Sequence, residues 1–182
     1  MKRIIKSMED RYLDISAQFV EDVFTDSEGK ESASIVKQLV LEIRSKRFYL
    51  PELELVMVNE MDHMIGYAMF SRFHLEGKYE NELLLLSPVA VKTELQRQHI
   101  SKDIIEYGFD KAVQMGYKAV IVEGNPKNYR ARGFQTSAAF GIRAGKAVSL
   151  PSPECLMVKE LVKGTLPHIK GVVDYSDYES LA

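Results

Sequence analysis

Hydrophobic positions recur at two different periods along the chain, and the switches between the periods outline its elements. Leu13, Phe19, Val20, Val23 and Phe24 follow roughly helical spacing. Ser7 precedes them with an acid, Asp10, three residues on, so the spacing predicts a helix over about Glu9 to Phe24. The polar, glycine-containing run Thr25 to Glu31 is expected to break it. Ile35, Leu39, Val40 and Ile43 then mark one face of a second helix, and Pro51 closes that unit.

Leu53 to Asn59 and Met64 to Ser71 are rich in strand-compatible apolar residues, and the charged link Glu60-Met61-Asp62-His63 predicts an antiparallel hairpin. The polar stretch Ser71 to Glu82, with Gly77 near its middle, reads as a loop. Leu83-Leu84-Leu85-Leu86 has no polar alternation, as expected of a strand covered on both faces. That run continues to Val91 but contains Pro88, which cannot donate to a ladder, so a bulge and a split in the sheet are expected there. Ile100, Ile104, Ile105, Gly108, Ala112 and Met115 form a helical stripe closed by Gly116, and Lys118 to Val122 is the next buried strand. Strand, helix and strand within so short a span make a βαβ unit, with Leu83–Val91 and Lys118–Val122 parallel and the crossover right-handed. A short turn or helix at Pro126 to Arg132, a strand from Phe134 to Phe140 and another from Cys155 to Leu161 complete the pattern. The polar residues Asp174 to Ala182 are expected to be loosely held. With no internal repeat and no linker-like composition, residues 1–182 are expected to form one α/β domain around a mixed sheet.

Composition narrows the function. Lys plus Arg is 24 and Asp plus Glu is 26, a net charge of −2, so nucleic acid is a poor partner unless a basic patch is local. One cysteine, Cys155, excludes an intramolecular disulfide and any multi-thiolate zinc site, which suits a reducing compartment. Met1 to Lys6 is followed by Glu9 and Asp10 before any long apolar run, and Leu83–Val91 is too short to span a bilayer. A cytoplasmic protein without membrane association is therefore expected. His63, His74, His99 and His168 are scattered without metal-ligand spacing, and His74-Leu75-Glu76 lacks the paired cysteines of a zinc deaminase, so no metal is expected. No Gly-x-x-x-x-Gly-Lys-Ser/Thr loop occurs.

In an open sheet with a parallel pair, ligands gather beyond the carboxyl ends of the strands, and the N-terminus of the crossover helix offers free N–H groups to an anion. Here that place is Gln96 to Ser101, where an ordinary solvated helix start is equally compatible with position alone. Three stretches go further: Ser87-Pro88-Val89-Ala90-Val91, Gln96-Arg97-Gln98-His99-Ile100-Ser101 and Tyr129-Arg130-Ala131-Arg132-Gly133-Phe134. In order and spacing they resemble the signatures of the GNAT superfamily of acyl-CoA-dependent N-acyltransferases, and the element order resembles that family's layout over most of the chain. Gly124-Asn125-Pro126 and Ala139-Phe140-Gly141 resemble one of its subgroups.

The resemblance implies a GNAT-like mixed sheet with a splayed parallel strand pair and flanking helices. It implies acetyl-CoA as cosubstrate, held by Val89, Ala90 and Val91 along the pantetheine arm. Gln96, Arg97, Gln98, His99, Ile100 and Ser101 would hold the diphosphate, with Asn125 nearby. The family's loop carries glycine where this chain has His99, and glycine or alanine where it has Ser101. Tyr129 takes the place of the tyrosine that protonates the departing sulfur, which is sensible for a thiol of pKa about 8.5 and a phenol of pKa about 10. A lysine-like amine of pKa about 10.4 is mostly protonated at pH 7, so a base is needed. Glu82 and Glu123 flank the parallel strands and are the candidates. The expected reaction is direct acetyl transfer to a primary amine, on a small molecule or a peptide. A non-catalytic module of the same fold with a weakened CoA site stays open, as does a homodimer. Lys127, Arg130, Arg132, Arg143 and Lys146 form a basic region that could meet the 3′-phosphate.

Overall fold

The structure, a computed structural model, describes residues 1–181. Its elements in chain order are β1 (Ile4–Ser7), α1 (Leu13–Glu28), α2 (Lys30–Arg44), β2 (Glu54–Val58), β3 (Met64–Leu75) and β4 (Lys78–Val91). They continue with α3 (Ile100–Gln114), β5 (Ala119–Glu123), α4 (Pro126–Tyr129), β6 (Gln135–Thr136), β7 (Ile142–Ala144), β8 (Leu156–Glu160) and β9 (Gly171–Val173). Seven strands form one sheet in the order β1-β2-β3-β4-β5-β8-β6, and β7 and β9 pair separately. Within the large sheet only β4 and β5 run parallel, as the βαβ pattern predicts.

Alternation along the strands sorts side chains into three cores. Ala68 and Phe70 of β3, Leu84 and Leu86 of β4, and Val120 and Val122 of β5 pack with Ile104, Ile105 and Ala112 of α3. The opposite-facing Tyr67, Met69 and Ala90 are covered by Val20 and Val23 of α1 and Leu39, Val40 and Ile43 of α2. On that same face, Phe73, Leu83, Leu85, Ala119 and Ile121 meet Ile142 of β7 and Val173 of β9. Helix α3 thus covers one face, while α1–α2 and the small β7–β9 sheet share the other.

Several expectations are corrected. Ser7 is no helix cap. It ends β1, an element the pattern did not suggest, and its hydroxyl donates to the Glu52 carbonyl. Helix α1 begins at Leu13 after a 3-10 turn and runs through the polar residues to Glu28, because the break needs only Gly29 at φ 91°. The segment Ser71 to Glu82 is not a loop. β3 and β4 continue through it as one long hairpin, turning at Glu76-Gly77 with Leu75 opposite Lys78. Its outward residues are polar, which disguises the strand. Phe134 to Phe140 is not one strand either, since after Gln135–Thr136 the chain folds into a 3-10 turn over Ser137–Phe140. The Ser137 hydroxyl ties that turn to the Ile142 carbonyl.

The segment 174–181 is docked, not loose, and Ala182 lies outside the described residues. Glu42 accepts from the N–H groups of Glu179 and Ser180, and Asp177 pairs with His74 at 2.7 Å. Tyr178 is buried against Phe48. This strap crosses from α2 to the β3 and β5 strands.

Candidate active site

The sheet opens where Pro88 predicts it. β3 and β4 pair as Ala68↔Val89 and then Phe70↔Leu86, so Ser87 and Pro88 form a bulge. On the other edge, β4 pairs with β5 only from Leu83↔Ala119 to Leu85↔Ile121. Beyond that point β4 stays with β3 as far as Val91↔Gly66, and β5 stays with β8 as far as Glu123↔Leu156. Each strand is kept by its outer neighbour, and the gap between them is the splay. The Lys92 N–H bonds to Ile65 O on the β3 side. Backbone groups alternate sides along a strand, so Ala90 also faces β3 while the N–H groups of Val89 and Val91 face the splay.

Helix α3 starts at the mouth of that gap. Its first helical bond runs from the Asp103 N–H to the His99 carbonyl, and no side chain caps the end. The N–H groups of Ile100, Ser101 and Lys102 are therefore open, with the helix dipole behind them. Close approach at Gly66 fixes where the helix starts: a Cβ there would lie 2.8 Å from Ile100 Cγ2. Arg97 and His99 both hold left-handed backbone, at φ 64° and 65°.

A cleft of about 640 Å³ joins these parts. Val89, Ala90 and Val91 form one wall, and Gln96, Arg97, His99, Ile100 and Ser101 another. Val23, Phe24 and Ser27 of α1 close a third side, and Lys127, Tyr129 and Arg132 the fourth. Among the described residues, the lining contains Arg97, Lys127 and Arg132 and no carboxylate. On a chain of net charge −2, this is a local concentration of positive charge at a helix N-terminus.

Tyr129 ends α4, whose start is capped by Asn125 accepting from the Lys127 N–H. Its ring stands edge-on to Phe134, with centroids 5.6 Å apart, and lies against Gly124, where a Cβ would come within 2.5 Å of the ring. Burial raises the Tyr129 phenol to about 12, so it holds its proton at neutral pH.

Glu123 and Tyr129 stand on opposite faces at the end of β5. Val120 and Val122 face the α3 core, against which Tyr129 packs, so by alternation Glu123 points to the other face. There its carboxylate accepts from the Tyr175 hydroxyl at 3.0 Å.

Not every residue singled out in the sequence gathers here. Gln98, Asn125 and Glu123 are outside the lining, the first with its carbonyl taken by Arg3, the second used as a helix cap and the third on the opposite face with Tyr175. Glu82 is at the amino end of the parallel pair, where its carbonyl accepts from the Lys118 N–H. Ala90 is eight residue steps further along β4, about 26 Å at 3.3 Å per residue, so Glu82 stands at the far end of the strand from the splay. Of the basic region, Lys127 and Arg132 reach the cleft, whereas Arg130 bonds Thr136 and Arg143 lines a separate pocket. The α1 wall and Tyr175 were not foreseen. Val23 and Phe24 read as core and Ser27 as helix break, and no local pattern marks a tyrosine in a polar tail. Among the described residues, no group of three or more His, Cys, Asp or Glu is placed to hold a metal ion, and no helix is long and apolar enough to cross a membrane.

An open mixed sheet with one splayed parallel pair and an anion-receptive helix start beside it defines the GNAT fold. Residues 17–140 match the Acetyltransferase (GNAT) family, and the chain belongs to it. Among curated proteins it is 27% identical over 142 residues to the uncharacterized N-acetyltransferase YhbS of Escherichia coli, covering 78% of this chain and 81% of that one. The crystal structure of YhbS from Escherichia coli in complex with CoA superposes with a TM-score of 0.81 at 23% identity, over 99% of this chain and 92% of the other. A GNAT family acetyltransferase from Brucella melitensis in complex with acetyl-CoA gives 0.70 at 18% identity, over 100% and 99%.

Proposed function

We propose that the chain binds acetyl-CoA in this cleft and transfers its acetyl group to a primary amine by direct attack. The observation that carries the reading is the lining itself: three cations, no acid, and the open N–H groups of α3, all beside a splayed pair with inward-facing backbone donors. That combination suits a diphosphate at the helix and an extended amide-bearing arm in the gap. The CoA complexes of the two structural relatives agree with it.

The thioester supplies the acyl group, and the chain's residues do the rest. The N–H groups of Val89 and Val91 can bond the arm and the carbonyl oxygen, where negative charge develops. Glu123, on the face opposite Tyr129, accepts the proton that the amine must lose. Tyr129 holds its proton at the sulfur. Free transfer from a phenol of about 12 to a thiolate of about 8.5 is uphill, so the hydroxyl acts by stabilising the departing sulfur while the proton moves.

Calorimetric titration with acetyl-CoA tests the first step, and thiol release across an amine panel tests the second. Micromolar to sub-millimolar binding with turnover of at least one amine is expected. Absence of binding at millimolar acetyl-CoA overturns the reading, and binding without turnover of any amine leaves the fold as a binding module.

A further inference from the structure

Among the described residues, the Glu123 carboxylate has one hydrogen-bond partner, the Tyr175 hydroxyl at 3.0 Å, and no cation within 4 Å. It is an exposed, uncompensated charge at the edge of the splay. A carboxylate that takes a proton from an amine must first accept a hydrogen bond from it, at about 2.8–3.0 Å. The phenol already fills such a position.

Tyr175 is held there from both sides. Just before it β9 ends at Val173, and just after it the strap is pinned by Asp177 on His74 and by Ser180 on Glu42. Its ring packs on Phe73, with centroids 6.2 Å apart, and against the buried cluster that contains Ile142 and Leu156. Those two residues also line a pocket of about 260 Å³ with Ala144, Val148, Leu150 and Arg143. Leu156 is the cross-strand partner of Glu123, so their side chains share a face about 5 Å apart. The phenol therefore stands between a wall of this largely apolar pocket and the carboxylate beside it, which is the outline of an amine carried on an apolar stem. Burial first, and the adjoining carboxylate second, hold the phenol well above its ordinary pKa, so it stays a donor.

We propose that the Tyr175 hydroxyl is a placeholder for the acceptor: it occupies on Glu123 the position of the amine N–H, and a primary amine on a short apolar stem displaces it. This rests on the transferase reading and on Glu123 as its base. The bond is solvent-exposed, and an amine N–H replaces it with another hydrogen bond to the same carboxylate. Tyr175 in this role sets specificity, because an acceptor has to compete with both the hydroxyl and the ring.

Two variants separate the hydroxyl from the ring. Tyr175→Phe frees the carboxylate but keeps the volume filled, so water gains most. Its oxygen bonds to the acetyl carbon, one of its protons passes to Glu123, and the C–S bond breaks with the departing sulfur hydrogen-bonded by the Tyr129 hydroxyl. The proton on Glu123 reaches the thiolate through solvent, and the products are acetic acid and CoA. Hydrolysis of acetyl-CoA, read as thiol release without amine, is expected to rise several-fold to tenfold. The rise should vanish when Glu123→Gln is added. Tyr175→Ala removes the ring that packs between the Ile142–Leu156 cluster and Glu123, so phenethylamine should bind the ligand-free chain at least tenfold more tightly by calorimetry, whereas putrescine should gain little. Acetyl-CoA affinity and melting temperature serve as fold controls for each variant. Hydrolysis that stays level or falls in Tyr175→Phe while acetyl-CoA still binds overturns the placeholder and makes Tyr175 a positioning residue. A rise that survives Glu123→Gln, or unchanged phenethylamine binding in Tyr175→Ala, overturns it as well. If the unsubstituted chain does not bind acetyl-CoA, the transferase reading falls first and this inference falls with it.

Discussion

His99 has an imidazole on left-handed backbone at φ 65° and ψ 18°, directly before α3. A Cβ in that region costs about 1 kcal/mol, which glycine avoids. The side chain is exposed, so its bulk is turned outward while its carbonyl still accepts from Asp103. His99→Gly should therefore raise unfolding free energy by about 0.5–1 kcal/mol in urea melts and tighten acetyl-CoA binding, by easing close approach to the backbone. A fall in affinity would make the imidazole itself a phosphate contact. Tyr129 allows a cleaner separation of chemistry from packing. Tyr129→Phe keeps the ring against Phe134 and Gly124, so acetyl-CoA affinity and melting temperature should hold while turnover of an accepted amine drops about 10²- to 10⁴-fold. Full turnover in the variant, with chemistry rate-limiting, would assign the sulfur's proton to another donor.

Between elements, the tightest functional fit is α3 on β3. Gly66 admits Ile100 at a distance that no Cβ tolerates, and Ile100 opens the helix whose first turn lines the cleft. Gly66→Ala should push that turn outward, lowering acetyl-CoA affinity about tenfold and costing about 1–3 kcal/mol in unfolding, since both neighbours are core atoms. Unchanged affinity would show that the helix start adapts. What could be read in advance divides along the same line. β4, α3 and β5 were legible because each buries a local pattern, a run of leucines or a helical stripe, and because Pro88 marks the bulge in one residue. The long β3–β4 hairpin was hidden by Arg72, His74, Glu80 and Glu82, polar residues on its outward positions. β1, β7 and β9 were hidden by length, four, three and three residues respectively. Of the site, the three signature stretches were readable and the α1 wall was not, because Val23 and Phe24 look like any core pair until the sheet splays beneath them. Glu82 and Glu123 looked equivalent beside their strands, and only the direction of the parallel pair separates them.

Across the whole molecule, two long-range devices hold the layer on the β1–β4 face. The Arg44 guanidinium pairs with the fully buried Glu54 at 2.7 Å, and Tyr49 and Tyr67 donate to the same carboxylate, which joins α2 to β2 and β3. The strap is the second, and its contacts span up to 138 positions of sequence, which is why no local pattern announces it. Its anchor is Glu42. Burial alone would raise that carboxyl, but hydrogen bonds from Lys46, from the Ser180 hydroxyl and N–H, and from the Glu179 N–H outweigh it and hold the pKa at about 2, below its ordinary 4.5. A folded-state pKa below the unfolded one contributes stability that is complete above about pH 4.5 and is lost as pH falls toward about 2. Glu42→Gln removes the charge and should cost on the order of 2 kcal/mol at pH 7. In urea melts of both proteins, that difference should shrink steadily between the two pKa values and be gone near pH 2. Because, among the described residues, the Glu42 carboxylate is hydrogen-bonded only by Lys46 and the strap, hydrogen exchange at the Glu179 and Ser180 amides should quicken in the variant before exchange in β3 or β5 does. A difference that persists unchanged below pH 3 would mean that the strap is held by packing of Tyr178 and not by the carboxylate.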